Sequence, residues 1–119
     1  MLVVYISKTG KIDRFIEKIG HFSTLKIETG DEVVTQQFIL IAGTIGFGEV
    51  APELKTFLKN NHKFLHAVVG SGNKNWGSLY CAAAIKIAKR FNVPLLMKFE
   101  SAGNTHDIEE FKKILKEVS

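Results

Sequence analysis

The chain has 119 residues, of which 45% are hydrophobic and 24% charged, a composition typical of one soluble globular domain covering residues 1–119. No apolar run reaches the roughly 20 residues that span a bilayer, and the apolar start of the chain lacks the basic region and the cleavage site of a signal peptide. The single cysteine excludes an internal disulfide, which fits the cytoplasm. The formal net charge of +4 favours anionic partners, but without a dense basic run or a basic helix face it does not indicate binding to nucleic acid.

Apolar periodicity predicts alternating strands and helices along the chain. Continuous or alternating apolar runs predict five strands, at residues 2–6, 25–27, 38–42, 65–70 and 95–99. Residues at helical spacing predict four helices, at residues 12–19, 52–58, 76–91 and 105–118. Thr105 is expected to cap the last helix. The segment 29–37 is polar and too short for a packed helix, which is unusual between parallel strands.

This order of elements, β-α-β-β-α-β-α-β-α, predicts an α/β fold with a doubly wound, five-stranded parallel sheet. We expect the flavodoxin-like strand order 2-1-3-4-5, with the helix after strand 2 short or missing. In that order the loops after the first, third and fourth strands share one edge of the sheet. Ligands bind at this edge in open α/β sheets.

The loop after the first strand, residues 7–12, has the composition of a phosphate-binding turn. The hydroxyls of Ser7 and Thr9 can donate to phosphate oxygens, Gly10 lets the backbone wrap closely, and amides at a helix N-terminus favour an anion. The spacing is neither that of a Walker A loop nor that of G-x-G-x-x-G. An ordinary strand-to-helix turn, capped by Ser or Thr, is the alternative.

Two further loops on the same edge combine glycines with a large aromatic residue. In residues 44–48, Gly46 lets its peptide turn either way, as a flavin N5 requires when it gains a proton on reduction. In residues 71–77, Asn73 can bond its own backbone or the edge of a ring. The three loops indicate a nucleotide with a flat ring, of which flavin mononucleotide (FMN) is the best candidate. The alternative is a plain turn with Phe47 capping the core, and a Trp76 ring that belongs to the core.

Other chemistries lack the residues that they need. The first strand does not end on the acidic residues of a receiver domain. Cys81 lies within a helical stripe and not before a phosphatase-type glycine turn, so we expect it in the core. The four histidines lack paired metal-ligand spacing, so no metal site is predicted, and no Ser-His-Asp arrangement is evident.

These motifs resemble the NrdI family, small flavodoxin-like partners of class Ib ribonucleotide reductase. The resemblance covers nearly the whole chain, and residues 71–77 are its most specific part. The other segments that carry it are Ser7-Lys8-Thr9-Gly10 with Arg14-Phe15, Thr44 with Gly46-Phe47-Gly48, Asn92-Val93-Pro94-Leu95, Phe99-Glu100 and Gly103.

The resemblance implies bound FMN and, as partner, the dimetal small subunit of the reductase. Reduced flavin would react with dioxygen and supply superoxide for assembly of the partner's dimanganese-tyrosyl radical cofactor. The chain would then be a flavin redox accessory protein rather than a metabolic enzyme, and an unknown donor would reduce its flavin. The Gly46–Phe47 peptide would lie near flavin N5, and no side chain would be catalytic. The expected cofactor-binding residues are Ser7, Thr9, Gly10, Lys11, Ile12, Thr44, Ile45, Gly46, Phe47, Gly48, Ser71, Gly72, Asn73, Trp76 and Gly77.

The chain departs from the family pattern at several positions. Lys11 stands where relatives usually have Asn, and Gly43 where they often have a larger residue. Ala84-Ile85 replaces a common Gly-Asp pair. The proline expected directly after Val50 falls one place later, at Pro52. Lysine keeps the backbone amide and adds charge, so we expect FMN binding to survive. Two alternatives stay open: a general flavodoxin-type electron shuttle, which an acidic surface would favour, and a flavin-free binding or regulatory module, which would take up no FMN.

Overall fold

The computed structural model describes residues 1–118 and shows a parallel sheet with helices on both faces. The strands are β1 Leu2–Tyr5, β2 Thr24–Lys26, β3 Phe38–Gly43, β4 Leu65–Gly72 and β5 Leu95–Glu100. The α-helices are α1 Lys11–Ile19, α2 Pro52–Asn61, α3 Ala82–Phe91 and α4 Thr105–Val118. All strand pairs are parallel, in the order β2-β1-β3-β4-β5, so the predicted fold and strand order are confirmed.

Side chains of the strands alternate between two apolar layers. Val4 and Leu40 face the layer that α2 and α3 cover, whereas Val3 and Ile39 face the layer that α1 and α4 cover. Because both faces of β1 and β3 are buried, these two strands are apolar at nearly every position, which explains their continuous apolar runs. None of the helices described in residues 1–118 is long and apolar enough to cross a membrane.

Residues 27–37 join β2 to β3 without a helix, as predicted. Hydrogen bonds order this segment instead. The Glu32 carboxylate accepts from three consecutive amides, those of residues 28–30, at 2.8, 3.1 and 2.9 Å. Asn61, buried at the end of α2, accepts from Val34 N at 3.0 Å and donates to the Glu32 carbonyl at 2.9 Å. The two side chains thus supply the backbone partners that a helix would supply itself.

The helix predicted over residues 76–91 begins only at Ala82, so that prediction is wrong at its start. Residues Lys74–Leu79 form a 3₁₀ segment interrupted at Gly77, whose φ of 57° and ψ of −118° are not helical. The apolar spacing continues across this kink, and periodicity alone therefore extends the helix too far.

The residue that caps α4 also differs from the prediction. Asn104, and not Thr105, makes the capping bonds: its side-chain oxygen accepts from Asp107 N, and the Asp107 carboxylate accepts from Asn104 N, both at 2.9 Å. The reciprocal pair satisfies two backbone donors at once.

We expect Glu32→Gln to lower the free energy of unfolding by about 1–2 kcal/mol at pH 7, because the amide nitrogen of Gln cannot accept the bond from Gly30 N. Burial tends to raise the pKa of Glu32, but the backbone hydrogen bonds outweigh it and lower the pKa from 4.5 to about 2. The contribution of the carboxylate is therefore present above pH 4.5 and is lost as the pH falls towards 2.

Urea unfolding of both proteins at pH 7 and at pH 2 measures this difference, which should narrow at the lower pH. Glu28→Gln, which removes an exposed carboxylate from the same segment, is the control. Equal stabilities of wild type and Glu32→Gln at pH 7 would contradict the role of Glu32.

Candidate functional site

A cavity of about 370 Å³ opens at the carboxyl edge of the sheet. It lies where the connections after β1, β3 and β4 converge, and its volume falls in the range of small-molecule sites. Eleven of the predicted site residues line it: Ser7, Thr9, Lys11, Ile12, Thr44, Ile45, Gly46, Ser71, Gly72, Asn73 and Trp76. The other four belong to the same loops but lie outside the lining: Gly10, Phe47, Gly48 and Gly77.

Six lining residues were not assigned to the site from sequence: Ile6, Lys8, Gly43, Ala51, Leu79 and Ser101. Most of them flank the predicted loops. Ser101 differs, because it follows β5. Its amide donates to the Gly72 carbonyl at 2.9 Å, and its carbonyl accepts from the Ser71 hydroxyl at 3.2 Å. No local sequence signal marks Ser101, since its place at the cavity depends on the pairing of β4 with β5.

The loop after β1 presents the N-terminus of α1 to the cavity. Gly10 precedes the helix in a left-handed conformation, with φ of 83°, and has no side chain to cap it. Ser7 Oγ lies 3.4 Å from the amide of Asp13. Because Gly10 supplies no side-chain acceptor, the first amides of α1 and the positive end of its dipole suit an anion.

Two lysines of this loop line the cavity but differ in their surroundings. Lys8 forms an ion pair with Glu53, in the first turn of α2, and the hydrogen bond from Lys8 holds the pKa of Glu53 below its usual value. Lys11 has no carboxylate within ion-pair distance in residues 1–118. The charge of Lys11 is therefore available to an anionic ligand.

The loop after β3 is a tight turn over residues 44–49. Ile45 and Glu49 exchange two backbone hydrogen bonds, of 3.0 and 2.8 Å. Gly46 and Gly48 both have positive φ, 50° and 85°, which a side chain would disfavour. The two glycines thus allow a turn this tight at the mouth of the cavity.

The loop after β4 is tied to the end of β5. Lys74 N donates to the Glu100 carboxylate at 2.9 Å. Within the loop, the Asn73 side-chain oxygen accepts from Asn75 N at 2.8 Å, which is the local bond that its position suggested. These contacts place Trp76 over the cavity.

Phe47 and Trp76 contact each other edge to face, with ring centroids 6.0 Å apart and planes at 81°. Trp76 is 50% exposed, so the alternative that places its ring in the core is wrong, and Phe47, 79% exposed, does not cap the core. Trp76 lines the cavity, whereas Phe47 lies outside the lining and contacts Trp76. The two loops therefore meet across the mouth of the cavity.

Tyr80 and Cys81, which follow the loop after β4, stay protonated at neutral pH. Burial raises the pKa of the Cys81 thiol, and Cys81 is a core residue as predicted. Burial, together with nearby Cys81, Glu100 and Asp107, raises the pKa of Tyr80 to about 12. Neither side chain supplies a charged nucleophile at pH 7.

A second cavity, of about 410 Å³, adjoins the first and shares Lys11 with it. Its other charged lining residues are Lys74, Lys98, Glu100 and Asp107. Both carboxylates accept backbone hydrogen bonds, from Lys74 N and Asn104 N respectively. The three lysines outnumber them, so the surroundings of the first cavity are positive on this side.

The fold has counterparts among solved structures. Oxidised Flavodoxin 1 from Bacillus cereus superposes with a TM-score of 0.66 at 18% identity, covering 98% of this chain and 94% of that chain. A flavodoxin from Fusobacterium nucleatum bound to flavin mononucleotide superposes with a TM-score of 0.65 at 15% identity, covering 98% and 95%. The strand order and these likenesses define a flavodoxin-like protein.

The family follows from the sequence comparisons. A family model described as NrdI Flavodoxin like matches residues 3–113. Protein NrdI of Macrococcus caseolyticus is 43% identical over 119 residues, which cover all of this chain and 92% of that protein. The chain belongs to the NrdI family, and the predicted resemblance is confirmed.

We expect Phe47→Ala to expose Trp76 further, because the Phe47 ring covers its edge. Trp76 is the only tryptophan, so tryptophan fluorescence reports on this side chain alone. Acrylamide should quench the variant more strongly than the wild type. Stability should fall by less than about 1 kcal/mol, the contribution of one aromatic pair.

Val33→Ala is the matched control, since Val33 is a 77% exposed apolar side chain outside the three loops. Quenching that is unchanged in Phe47→Ala would show that the two rings do not cover each other in solution.

Proposed function

We propose that the chain binds FMN in the cavity at the carboxyl edge of the sheet. One observation carries this proposal: the N-terminus of α1, where Gly10 has no side chain to cap the helix, and the half-exposed ring of Trp76 line the same cavity. The first suits a phosphate and the second a flat aromatic ring. Gly43, Gly46 and Gly72 also line the cavity, so backbone and not side chain borders the ligand at these three positions.

The phosphate would bind at the loop after β1. The hydroxyls of Ser7 and Thr9 and the amides of Lys11 and Ile12 are its donors in this proposal, with Gly10 allowing the close turn. The Lys11 ammonium adds a positive charge without a carboxylate partner. Lys11 therefore replaces the usual Asn without loss of the backbone donor.

The flavin ring would lie between the loops after β3 and β4. Thr44, Ile45, Gly46, Phe47 and Gly48 would border it on one side, and Ser71, Gly72, Asn73, Trp76 and Gly77 on the other. Because Phe47 and Trp76 contact each other, the ring would lie under this pair rather than between the two aromatic planes. The Gly46–Phe47 peptide would then be the backbone partner of N5.

The proposed activity is activation of the dimetal small subunit of class Ib ribonucleotide reductase. Bound, reduced FMN would pass one electron to dioxygen, and the superoxide formed would oxidise a dimanganese site and drive formation of the partner's tyrosyl radical. Membership of the NrdI family supports this role, which we expect in the cytoplasm with electrons from a separate donor. The chain's own residues bind the phosphate, orient the ring and supply positive charge, which stabilises an anionic reduced flavin.

Electron paramagnetic resonance tests this function directly. The FMN-loaded, chemically reduced protein is mixed with the Mn²⁺-loaded small subunit and dioxygen, and we expect a tyrosyl radical signal. Oxidised protein and free reduced FMN serve as controls and should give none. If no radical forms but the protein passes electrons to other acceptor proteins, it is a general electron shuttle. If it takes up no FMN, it is a flavin-free module.

We expect Thr9→Val to weaken FMN binding roughly 10-fold and to leave riboflavin binding unchanged, because the lost hydroxyl donates only to the phosphate. Flavin fluorescence titration gives both dissociation constants. Thr35→Val, in the exposed segment before β3, is the matched control. An equal loss of affinity for FMN and riboflavin would contradict a phosphate site at Thr9.

A further inference from the structure

Two side-chain hydrogen bonds hold the turn of residues 44–49 against α3. Lys86 Nζ donates to the Gly48 carbonyl at 2.6 Å. Thr44 Oγ1 accepts from Ala83 N at 3.2 Å, which places a cap on the N-terminus of α3. The turn thus carries one anchor at each end, although it lies 38 and 39 residues from its partners in the sequence.

These bonds divide the turn into a held base and a tip. The mutual bonds of Ile45 and Glu49 close the base, and the anchors to α3 fix it in place. The tip consists of the Gly46–Phe47 and Phe47–Gly48 peptides, neither of which makes a hydrogen bond within the described residues 1–118. Gly46 has a φ of 50°, and Phe47 is exposed, so rotation of these two peptides meets little resistance.

The anchor at Gly48 is the one that requires explanation. Gly48 also has positive φ, and its carbonyl belongs to the peptide whose amide, Glu49 N, donates to the Ile45 carbonyl at 2.8 Å, so that bond already limits rotation of the carbonyl. A hydrogen bond from an ammonium group is about twice as strong as one between neutral groups, so the contact with Lys86 opposes this rotation. Lys86 has no carboxylate within ion-pair distance in the described part of the chain, and its charge is directed at the carbonyl.

We propose that Lys86 is a positioning residue: its ammonium group, together with the bond from Glu49 N to the Ile45 carbonyl, fixes the Gly48–Glu49 peptide, and reorientation of the turn is thereby confined to the tip, which contains the Gly46–Phe47 peptide. This inference rests on the proposed FMN site, in which that peptide is the partner of N5. Lys86 itself touches the turn and not the ligand. It acts on binding and on reduction through the geometry of the backbone.

The contact can be tested without flavin. In Lys86→Met, the ¹³C resonance of the Gly48 carbonyl should move upfield, because the carbonyl loses its donor. Lys86→Arg should restore it. Lys89→Met, which removes the same charge from the same helix one turn later, is the matched control and should leave the resonance unchanged.

With FMN, we expect Lys86→Met to weaken binding roughly five- to tenfold and to change the separation between the two one-electron reduction potentials. A loss of charge acts mainly on the step that forms the anionic reduced flavin, and Lys89→Met measures that effect, so only the change in Lys86→Met beyond that of Lys89→Met reports on the geometry of the turn. Equal effects of the two variants, or a Gly48 resonance that does not move, would overturn the inference. Failure of the wild type to bind FMN would instead refute the proposed site, while the Gly48 resonance would still test the contact.

Discussion

The parallel register of β1, β3 and β4 is the constraint on which the site depends. Tyr5 pairs with Ile41, and Ile41 with Val69, so three consecutive strands in the sheet reach its carboxyl edge at the same level. Both faces of these strands are buried, and a slip of one residue would move apolar side chains out of their layers. Three loops that are far apart in sequence therefore begin side by side, with backbone groups that the sheet no longer pairs. The cavity is the space between them.

Close backbone contacts then shape this edge. A Cβ on Gly72 would lie 3.0 Å from Cys81 N, and one on Gly70 would lie 2.9 Å from the Cys81 Cβ. Glycine at both positions lets the start of α3 pack directly on β4, which brings the loop after β4 back over the sheet. Electrostatics add a second level of organisation. Glu53 neutralises Lys8 at one side of the cavity, whereas Lys11 and the positive end of α1 remain for an anion.

Sequence reasoning succeeded where a pattern is local. Buried strands of β1 and β3 appear as unbroken apolar runs, and the polar segment 29–37 excludes a helix because it has too few apolar residues to pack. It failed where a tertiary contact overrides local preference. The helix predicted from Trp76 starts late because the backbone is not helical at Gly77, Tyr80 and Cys81. Asn104 caps α4 because Asp107 returns its bond. The contact of Phe47 with Trp76, the place of Ser101 and the bond from Lys86 to Gly48 join residues that no spacing relates.

The amino-acid sequence by itself determined the alternation of strands and helices, the strand order and the composition of the three loops, because these depend on local apolar periodicity and on the few crossovers that a parallel sheet allows. It also determined the family, through motifs within single loops. Only the tertiary structure decided which loop residues face the cavity, which lysine keeps an unmatched charge and which peptide of the turn is held. Those outcomes depend on distances between side chains from different loops, which the order of residues along one chain does not specify.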